Sequence, residues 1–405
     1  MLMFSSQSFN QLSLEDFSND FCEQHGITIS KQALQERFNM FSVSFMSELL
    51  KRQLSHHIAN VEKITDYKHF SRVRVRDSTR YSLPKEYTDV YKGHGGIGSP
   101  SQISIQYEYD LLSGSAMSLE LTSACRNDQQ DSKETLHTIE KGDLLIRDLA
   151  YASKNYLQHI TKMGAYYLNR CNVKWDVYDK DGVVINWNKI LKRLKKYSLP
   201  AMEMEAFIPT KNQCLATRLV ITRVDANTYE KRLKKAHIAA GSKHYQVSQK
   251  YKVYAALNVF ITNIPKPWLS INQIRKTYSL RWQIELIFRV WKSQANINKV
   301  KAVKIERFQC QLIARLLWLL LHWKILAITQ RWIIRRTKNK YFKCSVWKFY
   351  KVAFRLSNLL RQTLLNYQSD LLWLEKLLFN AEKKYFTEIK KGKPCYSRVL
   401  YNLLA

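Results

Sequence analysis

The stretch IPKPWLSINQIRKTYSLRWQIELIFRVWK, Ile264 to Lys292, decides how this chain is read. Pro265 and Pro267 stop the strand before them, because proline has no N–H to give a ladder. Ser270 and Gln273 stand at the spacing of a capping box. No Pro or Gly follows as far as Lys292, so the pattern predicts one unbroken helix. On such a helix Tyr278, Arg281, Glu285 and Lys292, at offsets of 3, 4 and 7, fall on one stripe. Leu280, Ile284, Ile287, Phe288 and Trp291 supply apolar contacts elsewhere around it. Taken alone, an acid flanked by cations and a phenol also fits a solvated ion-pair face.

Upstream, the pattern predicts helices over residues 1–66, with short ones around Gly26 that suit either a helix-turn-helix or a small helical cap. From residue 71 the period becomes two. Val73 and Val75 alternate with Arg72, Arg74 and Arg76 and lead into Asp77, read as the end of a strand. The glycines at 93, 95, 96 and 98 lack a phosphate-loop context and read as a connector. Ile103 to Tyr109 and Met117 to Leu121 alternate about a Ser113-Gly114 turn, which is a hairpin. A polar helix over 131–140, a buried strand Leu144-Leu145-Ile146 ending at Asp148, a helix over 151–162 and a strand over 165–168 complete the series. A crossover helix between strands implies a mixed sheet covered by helices. Between 171 and 265, Val173–Val177, Val183–Ile185, Glu203–Ile208, Leu215–Val224 and Lys252–Ile261 favour strands around one basic helix, Tyr229–Ala239. That segment reads as a mostly β insertion, and from Ser270 the chain is helical again.

In a sheet of this order the strands bearing Asp77 and Asp148 can be neighbours, and Glu285 on a helix beside them would be a third carboxylate. Hard divalent ions prefer such oxygen donors. Two ions roughly 4 Å apart can clamp the attacking and leaving oxygens of a phosphodiester.

Charge points the same way. The 405 residues carry 65 Lys+Arg against 33 Asp+Glu, a net +32 that repels itself and attracts a polyanion. With 46% hydrophobic residues and only 11 Gly and 7 Pro, disordered and collagenous classes are excluded. Residues 331–351 hold eight cations, among them Arg335, Arg336, Lys343 and Lys348, and no acid, with Trp332, Tyr341, Phe342, Trp347, Phe349 and Tyr350 interleaved. Cations with flat rings suit a DNA-contacting surface, and equally a helix pair with a solvated basic loop. Lys192, Arg193, Lys195 and Lys196 form a second basic cluster, read as phosphate contact. Seven scattered cysteines without a CxxC pair argue against disulfides or a zinc ribbon and for a reducing cytoplasm. The acidic start (Glu15, Asp16, Asp20) is not that of a signal peptide. Leu312 to Ile334 is apolar, yet Arg315, His322, Lys324 and Arg331 mark it as a buried helix and not a membrane span.

With the signature Tyr-x2-Arg-x3-Glu-x6-Lys matched by Tyr278, Arg281, Glu285 and Lys292, the chain resembles bacterial insertion-sequence transposases of the DDE class. The flanking LRWQIE and FRVWKS, Asp77-Ser78-Thr79, Thr262 to Pro265 and the Asp148 stretch share that likeness, which runs from about residue 26 to 330. The resemblance implies an α/β fold: a ribonuclease-H-like mixed sheet with flanking helices, interrupted by a β-rich insertion, plus helical N- and C-terminal regions. It implies Asp77, Asp148 and Glu285 as catalytic ligands of two Mg²⁺ or Mn²⁺ ions, and Tyr278, Arg281 and Lys292 as grips on phosphates. It further implies double-stranded DNA partners, namely inverted-repeat ends and target, joined through a hairpin intermediate in the relatives, with a homodimer across two ends. The sequence departs in having Ala150 where relatives have Gly, and Asn258 near the position of a base-stacking Trp, with Phe260 and Trp268 nearby.

The expected divisions are a helical N-terminal DNA-binding or cap region (1–66) and a first segment of the ribonuclease-H-like core (67–170). The insertion (171–265), a second core segment carrying the glutamate helix (266–330) and a basic helical C-terminal region (331–405) follow. A structure-selective nuclease of the same fold and a non-catalytic DNA-binding inhibitor are the competing readings.

Overall fold

The computed structural model describes residues 13–384 apart from 56–66, 96–98, 212, 242–243, 339–343 and 366–371. In chain order the elements are α1 (Leu14–His25), α2 (Lys31–Glu36), α3 (Met40–Ser55), β1 (Arg72–Ser82), β2 (Gln102–Asp110) and β3 (Ala116–Ser123). Then come α4 (Asp128–Glu134), β4 (Asp143–Arg147), α5 (Lys154–Lys162), β5 (Tyr166–Arg170), α6 (Trp187–Lys196), β6 (Ala201–Pro209) and β7 (Cys214–Arg223). The rest are α7 (Ala226–Gly241), α8 (Gln249–Ala255), β8 (Leu257–Thr262), α9 (Ile271–Ser279), α10 (Trp282–Ser293), α11 (Ile305–Thr337), α12 (Val346–Arg355), α13 (Ser357–Leu365) and α14 (Leu372–Lys384).

The strands form a mixed sheet in the order β3-β2-β1-β4-β5-β8-β7-β6. β4 and β5 run parallel, whereas β2–β3, β5–β8, β8–β7 and β7–β6 are antiparallel. β1 and β4 are therefore neighbours, as the strand series allows, and the mixed sheet with its helices is consistent with the expected ribonuclease-H-like fold. All five residues of β4 are buried, which is why its middle, Leu144–Ile146, reads as an unbroken apolar run and not as an alternation.

By its contacts the chain divides into two compact units, one of Met1–Lys63, Arg76–Arg126 and Trp282–Ala405, the other of Ile64–Val75 and Asn127–Arg281. In the first, the hairpin β2–β3 turns at Gly114, whose φ of 71° suits a residue without a side chain. Tyr107 on β2 packs its ring 5.0 Å from that of Trp291. Trp323 on α11 donates from Nε1 to the Gly114 carbonyl at 2.5 Å. At about 1.5 Å per residue, α11 is roughly 50 Å long. Two thirds of its apolar window is buried, so its hydrophobicity serves a protein core. Trp318 is fully covered and stacks on Phe354 of α12 at 4.1 Å.

In the second unit the sheet carries a core of Leu145, Tyr167, Leu219, Ile221, Val259 and Ile261, covered partly by Trp187 and Leu194 of α6. Asp143, at the start of β4, is fully buried and receives Arg72 (2.6 Å) and Arg74 (3.0 Å) from β1.

Several expectations need correction. β1 continues to Ser82, so Asp77 sits mid-strand and not at its end. The helix predicted over 131–140 stops at Glu134, and that over 151–162 begins at Lys154. Val173–Val177 and Val183–Ile185 form no strand beyond a bridge at Tyr178–Val184. Lys252 to Ala255 end a helix, α8, before β8 begins. α6 was not foreseen at all. The three strands of the insertion extend the same sheet. The six described cysteines are free thiols.

Candidate active site

The unbroken helix expected over Ser270–Lys292 is two helices. α9 ends at Ser279, Leu280 and Arg281 form a turn, and α10 starts at Trp282. The Ser279 hydroxyl donates to the Lys276 carbonyl at 2.6 Å, a local bond that competes with continuation of the helix. Leu280, 1% exposed, is drawn into the core, and its N–H turns back on Thr277 and Tyr278. Pro and Gly are therefore not the only breakers. The one-stripe arrangement fails accordingly: Tyr278 is on α9, Arg281 is in the turn, and only Glu285 and Lys292 share a helix.

The break places Glu285 in the first turn of α10 and Lys292 in its last. A carboxylate at a helix N-terminus and a cation at a C-terminus are each favoured by the macrodipole. Within the first unit, Lys292 donates from Nζ to the carbonyl of Arg80 at 2.9 Å, fastening α10 to β1 three residues beyond Asp77. Burial lowers the pKa of that ammonium. Asp77 is half-buried, and its Oδ1 accepts from the N–H of Ser78 at 2.8 Å.

Within the second unit, Asp148 follows β4 directly and stands just before the single turn Leu149–Tyr151, its side chain making no capping bond to that turn. The Tyr278 hydroxyl donates to its Oδ1 at 3.4 Å, joining two motifs 130 residues apart. Phe260 on β8 lies beneath, with ring centroids 5.2 Å from Tyr278. Burial, followed by the Asp148 charge, raises the Tyr278 pKa, while Arg281 and Arg170 act against both. Tyr278 therefore stays a neutral donor. Arg170, at the end of β5, was not among the residues expected here; nothing in its local sequence marks it.

The remaining expectations divide. Arg335 and Arg336 are exposed in the last turn of α11, with Arg336 5.0 Å over the Trp332 ring. Lys348 is half-buried on α12, and Lys343 lies outside the described residues. Asn258 is engaged by Arg232, whose Nη2 donates to its Oδ1 at 2.5 Å. Trp268 stacks on His69 at 4.5 Å.

As donors, Asp77, Asp148 and Glu285 suit a hard divalent ion in kind, being carboxylate oxygens. Among the described residues, however, no group of three or more His, Cys, Asp or Glu side chains is gathered for a metal. Asp77 and Glu285 belong to the first unit and Asp148 to the second.

Residues 68–321 match the family described as the transposase DDE domain. The transposase for insertion sequence element IS231F of Bacillus thuringiensis subsp. israelensis is 35% identical over 310 residues, covering 72% of this chain and 65% of that protein. The transposase for IS1151 of Clostridium perfringens is 32% identical over 371 residues, 84% of this chain and 78% of its own. That for IS231E of Bacillus thuringiensis subsp. finitimus is 32% identical over 340 residues, 79% and 71%. The chain thus spans just under two thirds of the first relative and more of the other two. Divalent-metal dependence is a general property of the matched domain. With the domain match covering the sheet, Asp77, Asp148 and the Tyr278–Lys292 signature alike, the chain belongs to the DDE transposase family.

Proposed function

We propose that this chain is a cut-and-paste transposase, binding the inverted ends of its element and carrying out phosphodiester hydrolysis followed by strand transfer. The observation that carries the reading is the meeting of Tyr278 with Asp148, since two motifs far apart in sequence have a functional reason to be brought within 3.4 Å. Asp77, Asp148 and Glu285 would hold the metal, two Mg²⁺ or Mn²⁺ ions in this reading. When bound, such ions supply Lewis-acid stabilisation of the phosphoryl oxygens and of the attacking oxygen. Tyr278 orients the Asp148 carboxylate through its hydroxyl. Arg281 offers a planar fork to a phosphate and Lys292 a point charge. Arg335, Arg336, Lys343 and Lys348 hold more of the duplex backbone. Two copies act on two ends, in the cytoplasm and on the nucleoid.

The test is a cleavage assay on a supercoiled plasmid carrying the gene with its own flanking DNA, in Mg²⁺ or Mn²⁺. Wild-type protein is expected to break the two inverted flanks. Glu285→Gln should bind the same DNA but cut it at least about a hundredfold more slowly, as loss of a metal ligand predicts. Undiminished cutting by that variant removes the metal-ligand assignment. Scattered or absent cutting by the wild type returns the chain to a structure-selective nuclease or a silent binding protein.

A further inference from the structure

α6 presents a face that neither the signature nor the basic 331–351 stretch accounts for. Its residues Trp187, Ile190, Leu191 and Leu194 are all buried in the core of the second unit. Lys189, Lys192, Arg193, Lys195 and Lys196 are all exposed. At 100° per residue, Lys189, Lys192, Arg193 and Lys196 (i, i+3, i+4, i+7) form one stripe directly opposite the apolar one. No Asp or Glu occurs between Asp181 and Glu203. Among the described residues none of these five cations is paired with an acid. At the end of the stripe, Tyr197 is 60% exposed and Lys196 Nζ stands 5.4 Å over its ring.

Five like charges on about two turns of helix repel one another, and neighbouring acids do not offset the cost. We infer that the exposed face of α6 is a docking surface for the phosphate backbone of duplex DNA, read without regard to sequence. This deepens the proposed function and rests on it for the identity of the polyanion. The stripe from Lys189 to Lys196 covers about 10 Å at 1.5 Å per residue. A duplex carries one charge per about 1.7 Å of its axis, or about 3.4 Å on each strand, so the stripe matches roughly three successive phosphates of one strand. An anionic membrane is the poorer partner. Surface helices bind bilayers by burying an apolar face, and the apolar face of α6 is already in the protein core.

The experiment measures binding of the full chain to a fluorescein-labelled duplex of arbitrary sequence, titrated over a range of NaCl. The wild type is compared with the Lys189→Gln, Lys192→Gln, Arg193→Gln, Lys196→Gln quadruple variant. The variant should bind at least about tenfold more weakly near 100 mM salt, and the slope of log K against log salt should be shallower by about 2–4, since each phosphate contact contributes about 0.9. A charge-keeping variant, with the three lysines changed to Arg, should bind like the wild type. Equal affinity and slope in the quadruple variant overturn the inference. So does loss of binding in the charge-keeping variant, which would make the side chains structural. Vesicles rich in phosphatidylserine form the last arm: a quadruple variant that loses vesicles but keeps duplex also overturns it. The plasmid assay separates the two readings. Slope loss without end cleavage by the wild type leaves the α6 surface standing and removes the proposed cut-and-paste activity; end cleavage with an unchanged slope does the reverse.

Discussion

Asp143 and Asp148 are five residues apart and do opposite work. Asp143 is fully buried, and Arg72, Arg74 and the N–H of Glu140 saturate its oxygens, so it holds β4 to β1. Asp148 is half-exposed beyond the strand end and has Tyr278 beside it. The sequence singles out Asp148 by its place after the Leu144–Ile146 run and by its motif; exposure is the physical difference between the two acids. A second buried residue yields a pH prediction. His322 is wholly enclosed on α11, stacked 3.7 Å on Trp318, with Nδ1 donating to the Trp318 carbonyl at 2.8 Å. Burial lowers its pKa from 6.5 to about 4. Above pH 6.5 it is neutral folded or unfolded and contributes no pH dependence. As pH falls from 6.5 towards 4, the unfolded chain takes up the proton and the folded chain does not, so stability is lost at up to about 1.4 kcal/mol per pH unit. His322→Phe removes that loss. Denaturant melts of both proteins between pH 7 and 4.5 should show the wild type falling faster. Parallel curves would mean that His322 protonates without unfolding the site.

At the scale of elements, the insertion has a mechanical role that its composition hid. Arg218 on β7 is 7% exposed, pairs with Glu203 on β6 at 2.5 Å, and donates to the Leu269 carbonyl at 2.7 Å. Leu269 immediately precedes Ser270, where Gln273 accepts from the N–H at 2.7 Å and opens α9. The insertion thereby fixes the start of the helix that delivers Tyr278. Arg218→Met should lower stability by about 1–3 kcal/mol, because it leaves the Leu269 carbonyl without its donor and takes the nearer of two cations from the half-buried Glu203, Lys266 staying at 3.6 Å. Adding Glu203→Met should recover part of that loss; a strictly additive double variant in chemical denaturation would show that the two side chains do not act as a pair. None of this was legible, since the bond from a strand to a carbonyl 51 residues away leaves no local pattern. α6 escaped for the opposite reason. Val183 to Ile185 looks β-like locally, and only the i, i+3, i+4 alternation beyond it carries the helix.

Across the whole molecule, the features legible in sequence were those where local period and burial agree. The hairpin about Gly114, the buried run of β4 and the strand-helix-strand order were read correctly because each element's pattern is the one its neighbours in the sheet demand. The break at Leu280–Arg281 was missed because it follows from the burial of Leu280 and a serine back-bond, not from Pro or Gly. Net charge is the one global property that composition supplied outright, and it makes a prediction about the folded chain without DNA. At +32 the chain opposes its own compaction. Raising NaCl from about 10 to 150 mM shortens the screening length from about 30 to 8 Å, which weakens repulsion among exposed lysines far more than it weakens covered pairs such as Arg74–Asp143. The melting temperature should therefore rise by a few degrees over that range. A short DNA duplex at low salt should raise it in the same way by neutralising cations directly, and the two gains should not add, since both relieve one repulsion. A melting temperature that falls with salt would mean that surface ion pairs outweigh the excess charge. Gains from salt and duplex that add in full would mean that the duplex acts through specific contacts alone.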